Sequence, residues 1–220
     1  KANSSYTQLF LTHIDERGES SPPVCLANFT APDRAANIPE FVNAPADAIQ
    51  RINEQFLDDY SHVRAAFFAD LSGDTDRAIA GYQKALELNP RNVHAHQRLG
   101  YLFYNVKNQP ELGLAHTRNA LRLDPGNGYA HYDLGMAMRN EGNLDAAAQH
   151  LAQAVRFTPG SIEPIYSLAD MHCSLGEVLL AKAQVQEATE ALNQALALDA
   201  KNARANYFLA LAQAAQGLLD

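Results

Sequence analysis

A chain of 220 residues, 47% hydrophobic and 19% charged, is long enough to bury a sizeable core and has the composition of a globular protein. Its formal charge of −8 argues against nucleic acid or an anionic membrane surface as the main partner. No apolar run approaches the ~20 residues that a membrane-spanning helix needs, so membrane insertion is not expected.

Residues 1–43 come first and lack any helical period. "YTQLFLTHI" (6–14) and "PPVCLANF" (22–29) are rich in strand formers and flank the turn sequence "DERGES", which predicts one β-hairpin. A lone hairpin is marginal in water, so it needs something to pack on. The order strand, "IDERGES", strand, "NIPEFV" resembles the last blade of TolB-like β-propeller proteins. That resemblance implies that the chain is the C-terminal part of a longer protein, periplasmic or otherwise exported. The alternatives are a hairpin that caps the helices after it, and a cytoplasmic location. Lys1 in place of an initiator Met reads as a processed or partial chain.

Residues 44–220 are helical in pattern. In "APADAIQRINEQFLDDY" the apolar Ile49, Ile52, Phe56 and Tyr60 share one face, and Asp47 suits a helix start. This leading helix is expected to dock on the first of the repeats. "LELNPRN" (86–92), "LRLDPGN" (121–127), "VRFTPGS" (155–161) and "LALDAKN" (196–202) each close one helical run and open another. Pro90, Pro125 and Pro159 are 35 and 34 residues apart, and Ala200 takes the fourth place 41 residues on. Small residues recur as well: Ala66, Gly100, Gly135 and Ala169 early, then Ala78, Gly113, Ala147 and Ala188. They are needed where the two helices of a pair cross closely.

With these residues the stretch from Asp59 to Asp220 resembles the tetratricopeptide-repeat family. The third unit carries the likeness best, in His131, Leu134, Gly135 and Met138, then Ala147, Leu151, Ala154 and Pro159. The resemblance implies an all-α helix-turn-helix solenoid, a right-handed superhelix with about four repeats plus leading and terminal helices. Repeat two departs from the pattern with Thr117 at an apolar position and one extra residue near "NVKNQPE", which suits an interhelix loop. Repeat four has 19 residues from Ala169 to Ala188 against 12 from Gly135 to Ala147. The extra seven are expected to lengthen its helices. After Ala203 only a first helix follows, either a terminal cap or a sign that the natural chain continues.

The resemblance also implies that first helices line the inner surface. There Tyr129, Tyr132 and Met136 share a stripe at i, i+3 and i+7. The same offsets give Tyr60, Val63 and Phe67, then His94, Gln97 and Tyr101 with Tyr104 beside them. They continue through Glu163, Tyr166 and Asp170 to Arg204, Tyr207 and Leu211. Asn105, Arg139 and Asn140 add polar groups. Tyrosine combines a flat apolar face with a polar tip, which suits recognition. The expectation is an aromatic-lined groove for a peptide or protein segment, in an interaction scaffold. Two other readings stay open: an accessory module of a larger exported assembly, and a scaffold that binds copies of itself. A tyrosine stripe packed only on its own neighbours is the alternative to any groove. The cationic clamp that some family members use for a C-terminal carboxylate is missing, because Val63, Phe67, Gln97, Tyr101 and Tyr132 stand in those places. So is the asparagine ladder of sugar-transferase repeats, replaced by Arg98, Asp133 and Ser167.

No sign of catalysis or of a cofactor is found. No Gly-rich phosphate loop, nucleophile elbow or haem-attachment motif occurs. Cys25 and Cys173 match no metal or redox spacing. Among eight histidines none forms His-x-x-x-His, and His94 and His96 point apart on a helix, so no metal is expected. His62, His96 and His131 occupy a repeated packing position, while His116 and His150 fall on second helices.

Overall fold

The computed structural model describes residues 7–11, 24–29, 46–158 and 167–217. Strands β1 (Thr7–Leu11) and β2 (Val24–Phe29) pair antiparallel, with a register irregularity between Leu9 and Phe10. Helices follow in order: α1 (Ala46–Leu71), α2 (Thr75–Leu88), α3 (Val93–Tyr101), α4 (Pro110–Leu123) and α5 (Gly128–Asn140). The series continues with α6 (Leu144–Phe157), α7 (Leu168–Ala181), α8 (Val185–Leu198) and α9 (Ala203–Ala215). The chain forms two compact units, residues 1–95 and 96–220. In the first, α1 packs on α2; in the second, α5 to α9 pack pairwise in sequence order, which is a helix-turn-helix solenoid. The leading helix and the first helix of repeat one are a single continuous helix, since nothing between Ala46 and Leu71 breaks it.

The joints between repeats are closed by short polar side chains. Asn89, Asp124 and Asp199 each accept from the backbone two residues on, at Arg91, Gly126 and Lys201, all at 3.0 Å. Three residues later Asn92, Asn127 and Asn202 cap the next helix, accepting from the N–H of Ala95, Ala130 and Ala205 at 2.9 Å. The amides of Asn92 and Asn202 also reach back to Asp59 and Asp170, at 3.2 and 3.0 Å.

First helices end on a left-handed residue: Gly73 (φ 80°), Asn108 (φ 52°), Gly142 (φ 78°), Ala183 (φ 58°) and Gly217 (φ 69°). The N–H groups of Asp74, Asn143 and Gln184 bond back five residues, to Ala69, Met138 and Leu179, at 2.9 Å. In repeat two the matching N–H, from Gln109, reaches Phe103 at 2.8 Å, six residues back. The extra residue of this repeat therefore lies inside the helix rather than in the loop. It is absorbed by a π-helical turn over Leu102–Val106. Buried Thr117 keeps its hydroxyl satisfied by donating to the carbonyl of Gly113 at 3.1 Å.

Repeat four departs from the expected register. Helices α7 and α8 have 14 residues each, like α2, α4 and α6, so neither is lengthened. The close crossing falls at Gly176, where an added Cβ would meet Leu192 Cγ at 2.6 Å, just as one at Gly135 would meet Leu151 Cγ at 2.8 Å. From Gly176 to Ala188 the spacing is 12 residues, the same as from Gly135 to Ala147. The seven additional residues thus precede α7, and Ala169 is not the crossing residue.

Candidate functional site

The corrected register changes which side chains share the stripe. In α7 the counterparts of Tyr129, Tyr132 and Met136 are Asp170, Cys173 and Glu177. Glu163 and Tyr166 lie outside the described residues. Cys173 is a buried free thiol whose burial raises its pKa. It packs with Leu192, Ala195 and Ala205 instead of facing outward.

In the first unit Phe67 meets His94 edge-on, with ring centroids 6.2 Å apart, and His94 also meets Tyr82 at 6.0 Å. Tyr60 and Phe67 are half-buried, and Val63 is buried. These contacts form within residues 1–95.

In the second unit the stripe is partly sunk between helices. Tyr101, Tyr129 and Tyr132 pack against buried Ala154 and Met171, and Tyr104 packs against Leu114 and Leu134. Gln97, only 1% exposed, donates from Nε2 to Asp133 at 2.8 Å. The Arg98 guanidinium lies 4.9 Å from the Tyr101 ring centroid. Tyr132 and Ser174 share a hydrogen bond between their hydroxyls at 3.2 Å. Burial raises the Tyr132 pKa, so the phenol stays neutral and able to donate. Asn105 is exposed and bonds the Tyr101 carbonyl at 3.3 Å; Asn140 is exposed and accepts from Arg139 at 3.4 Å.

A charged centre missed by the sequence reading sits on the same face. The Glu177 carboxylate accepts from Arg139 of α5 at 3.1 Å and from Arg204 of α9, so one oxygen ties three first helices together. All three side chains remain partly open to solvent. The misplaced register hid Glu177, since the stripe of repeat four was set seven residues earlier, at Glu163, Tyr166 and Asp170. Tyr207 stands most open, 61% exposed, with the Phe208 ring edge-on at 5.3 Å.

Two histidine pairs also emerge. His96 and His116 face each other through Nδ1 atoms 3.0 Å apart, and His131 and His150 do the same at 3.0 Å. Each pair joins the first and second helix of one repeat. Burial, and then the charge of His96, lower the His116 pKa to about 4. His150 moves down for the same reasons, burial first and His131 second. Separations of 20 and 19 residues concealed these pairs from spacing rules written for one helix. His62 and His172 hold the same place in their repeats, but Gly81 and Ala191 stand opposite. Among the described residues no group of three or more His, Cys, Asp or Glu side chains could hold a metal ion.

Comparison with known proteins supports the same architecture. Two family models match, one described as TPR repeat over residues 71–106, the other as tetratricopeptide repeat over 106–162 and 173–220. No curated protein matches the sequence. Among solved structures, a MamA protein is 25% identical with a TM-score of 0.57, covering 73% of this chain and 84% of that one. PilF of Pseudomonas aeruginosa is 21% identical with a TM-score of 0.62, covering 74% and 71%. YrrB, a repeat protein described as having an unusual peptide-binding site, is 22% identical with a TM-score of 0.59, covering 78% and 84%. Repeats and fold alike are those of a protein–protein interaction scaffold, an architecture that is typically non-enzymatic, and the chain belongs to the tetratricopeptide-repeat family.

Proposed function

We propose that the first-helix face of residues 96–220 binds an extended segment of a partner protein. The observation that supports this reading is a row of incompletely buried aromatic and charged side chains on consecutive first helices. Tyr101 comes from α3, Tyr132 and Arg139 from α5, Glu177 from α7, and Arg204 and Tyr207 from α9. Aromatic rings that are already half ordered lose little entropy on binding and bring a large apolar area. The guanidiniums of Arg139 and Arg204 keep further N–H donors beyond those given to Glu177, enough to hold a peptide carbonyl or carboxylate in one direction. Binding by YrrB, a protein of the same fold, is in keeping with a peptide as ligand.

Selection of random peptides displayed on phage against the immobilised chain tests the proposal. Peptides should be recovered, and their affinity should fall about tenfold or more with Tyr207→Ala or Arg139→Gln. Tyr207 is exposed, so its truncation leaves the packing intact. Recovery of no binder, or binders indifferent to both substitutions, contradicts it.

A further inference from the structure

We propose that the hollow between α7 and α8 receives an arginine side chain of a partner protein. None of the tyrosine-stripe residues lines it, so this contact goes beyond the groove proposed above.

The repeat itself shows how the hollow arises. In repeat three the His150 ring of α6 stands against His131 of α5, with centroids 5.3 Å apart and planes at 32°. His172 and Ala191 occupy the same two places in repeat four, again 19 residues apart. The histidine of the first helix is kept, but Ala191 ends at Cβ where His150 carries a ring. Beside them opens a hollow of about 600 Å³ with Leu175 and Leu179 as its apolar wall. Glu187, Glu190 and Gln194 line its other side, one face of α8 at i, i+3 and i+7.

The lining selects the guest. Among the described residues the His172 ring meets no hydrogen-bond partner, whereas its counterpart His131 is paired at both nitrogens. Burial lowers the His172 pKa, so the ring is neutral at pH 7 and offers one acceptor nitrogen. Glu190 has no donor among the described residues, and Glu187 takes only the Gln184 amide, at 3.4 Å. No lysine or arginine lines the hollow, and Lys182, close by in sequence, is held by Asp145 at 2.8 Å. The same two glutamates also line a second hollow, of about 900 Å³, again without a lysine or arginine. Acceptors and negative charge beside an apolar wall call for a flat cation rich in N–H donors. Guanidinium meets each requirement: it is planar like the ring of His150, stays charged when half-buried, and has five donors for carboxylate and imidazole together. Its methylenes would lie along Leu175 and Leu179. An ammonium is compact and strongly hydrated, and suits a slot shaped for a ring less well.

N-acetyl-arginine amide titrated into the purified chain, followed by the ring NMR signals of His172, tests the assignment. N-acetyl-citrulline amide serves as the uncharged control of the same shape. The His172 signals should move saturably with the arginine compound and stay still with citrulline. Glu187→Gln with Glu190→Gln should weaken binding about fivefold or more. Glu87→Gln with Glu111→Gln removes the same charge from exposed positions elsewhere and should change it by less than about twofold. Ala191→His, which puts a ring of the chain's own into the hollow, should abolish the response, with circular dichroism confirming retained helix. Indifference of His172 to arginine, an equal response to citrulline, or equal weakening by the two double variants overturns the proposal.

Discussion

At the residue scale, His116 makes stability depend on pH. Its folded pKa of about 4 lies below the ordinary 6.5 because burial opposes the charge and His96 adds to the effect. The folded state therefore binds fewer protons than the unfolded state between these values. The contribution is complete above pH 6.5 and is lost as pH falls toward 4. At 1.36 kcal/mol per pKa unit, reduced because the ring is half open to water, His116 contributes about 1–2 kcal/mol. Urea midpoints at pH 7 and pH 4.5 should drop further for the natural chain than for His116→Gln, and equal drops would rule this out. The tyrosines of α5 were legible at this scale because an i, i+3, i+7 stripe is written directly in the sequence. The pairing of Tyr132 with Ser174, and the meeting of His96 with His116, were not. Both depend on which residue of one helix stands opposite which residue of another.

Across whole elements, the small residues and the joints between repeats were legible, whereas the residues that cap the helices and the register of repeat four were not. Ala169 and Gly176 are both small and stand seven residues apart, so either could mark a helix crossing when only spacing is known. Packing decides: Leu192 stands over Gly176 as Leu151 stands over Gly135. The π-helical turn at Leu102–Val106 was hidden for a related reason, since an added residue leaves the same trace in a loop and in a helix. The left-handed terminators carry a prediction of their own. Ala183 adopts φ 58°, a region where a Cβ crowds the backbone and where Gly73, Gly142 and Gly217 stand in other repeats. Ala183→Gly should stabilise the chain by about 0.5–1 kcal/mol, read as a higher urea midpoint. An unchanged or lower midpoint would show that the flexibility glycine gives the unfolded chain offsets the relief.

For the molecule as a whole, the solenoid was legible because a 34- or 35-residue period leaves few other folds to consider. In such arrays each helix pair depends on its immediate neighbours, so stability is local. Helix α6 keeps Leu151 and Ala154 fully buried, whereas α9 leaves Tyr207 and Leu211 exposed. Amide hydrogen exchange should therefore run at least about tenfold faster in α9 than in α6. Uniform exchange would mean that residues 96–220 open only as one block.

The joints at Asn89–Asn92, Asp124–Asn127 and Asp199–Asn202 are each satisfied almost entirely from within a handful of consecutive residues. A hinge that brings most of its own fastenings can be duplicated or excised by recombination wherever the preceding first helix offers an acceptor like Asp59 or Asp170. Lineages carrying it are free to gain or shed whole modules, while single substitutions go on reshaping the surfaces those modules present.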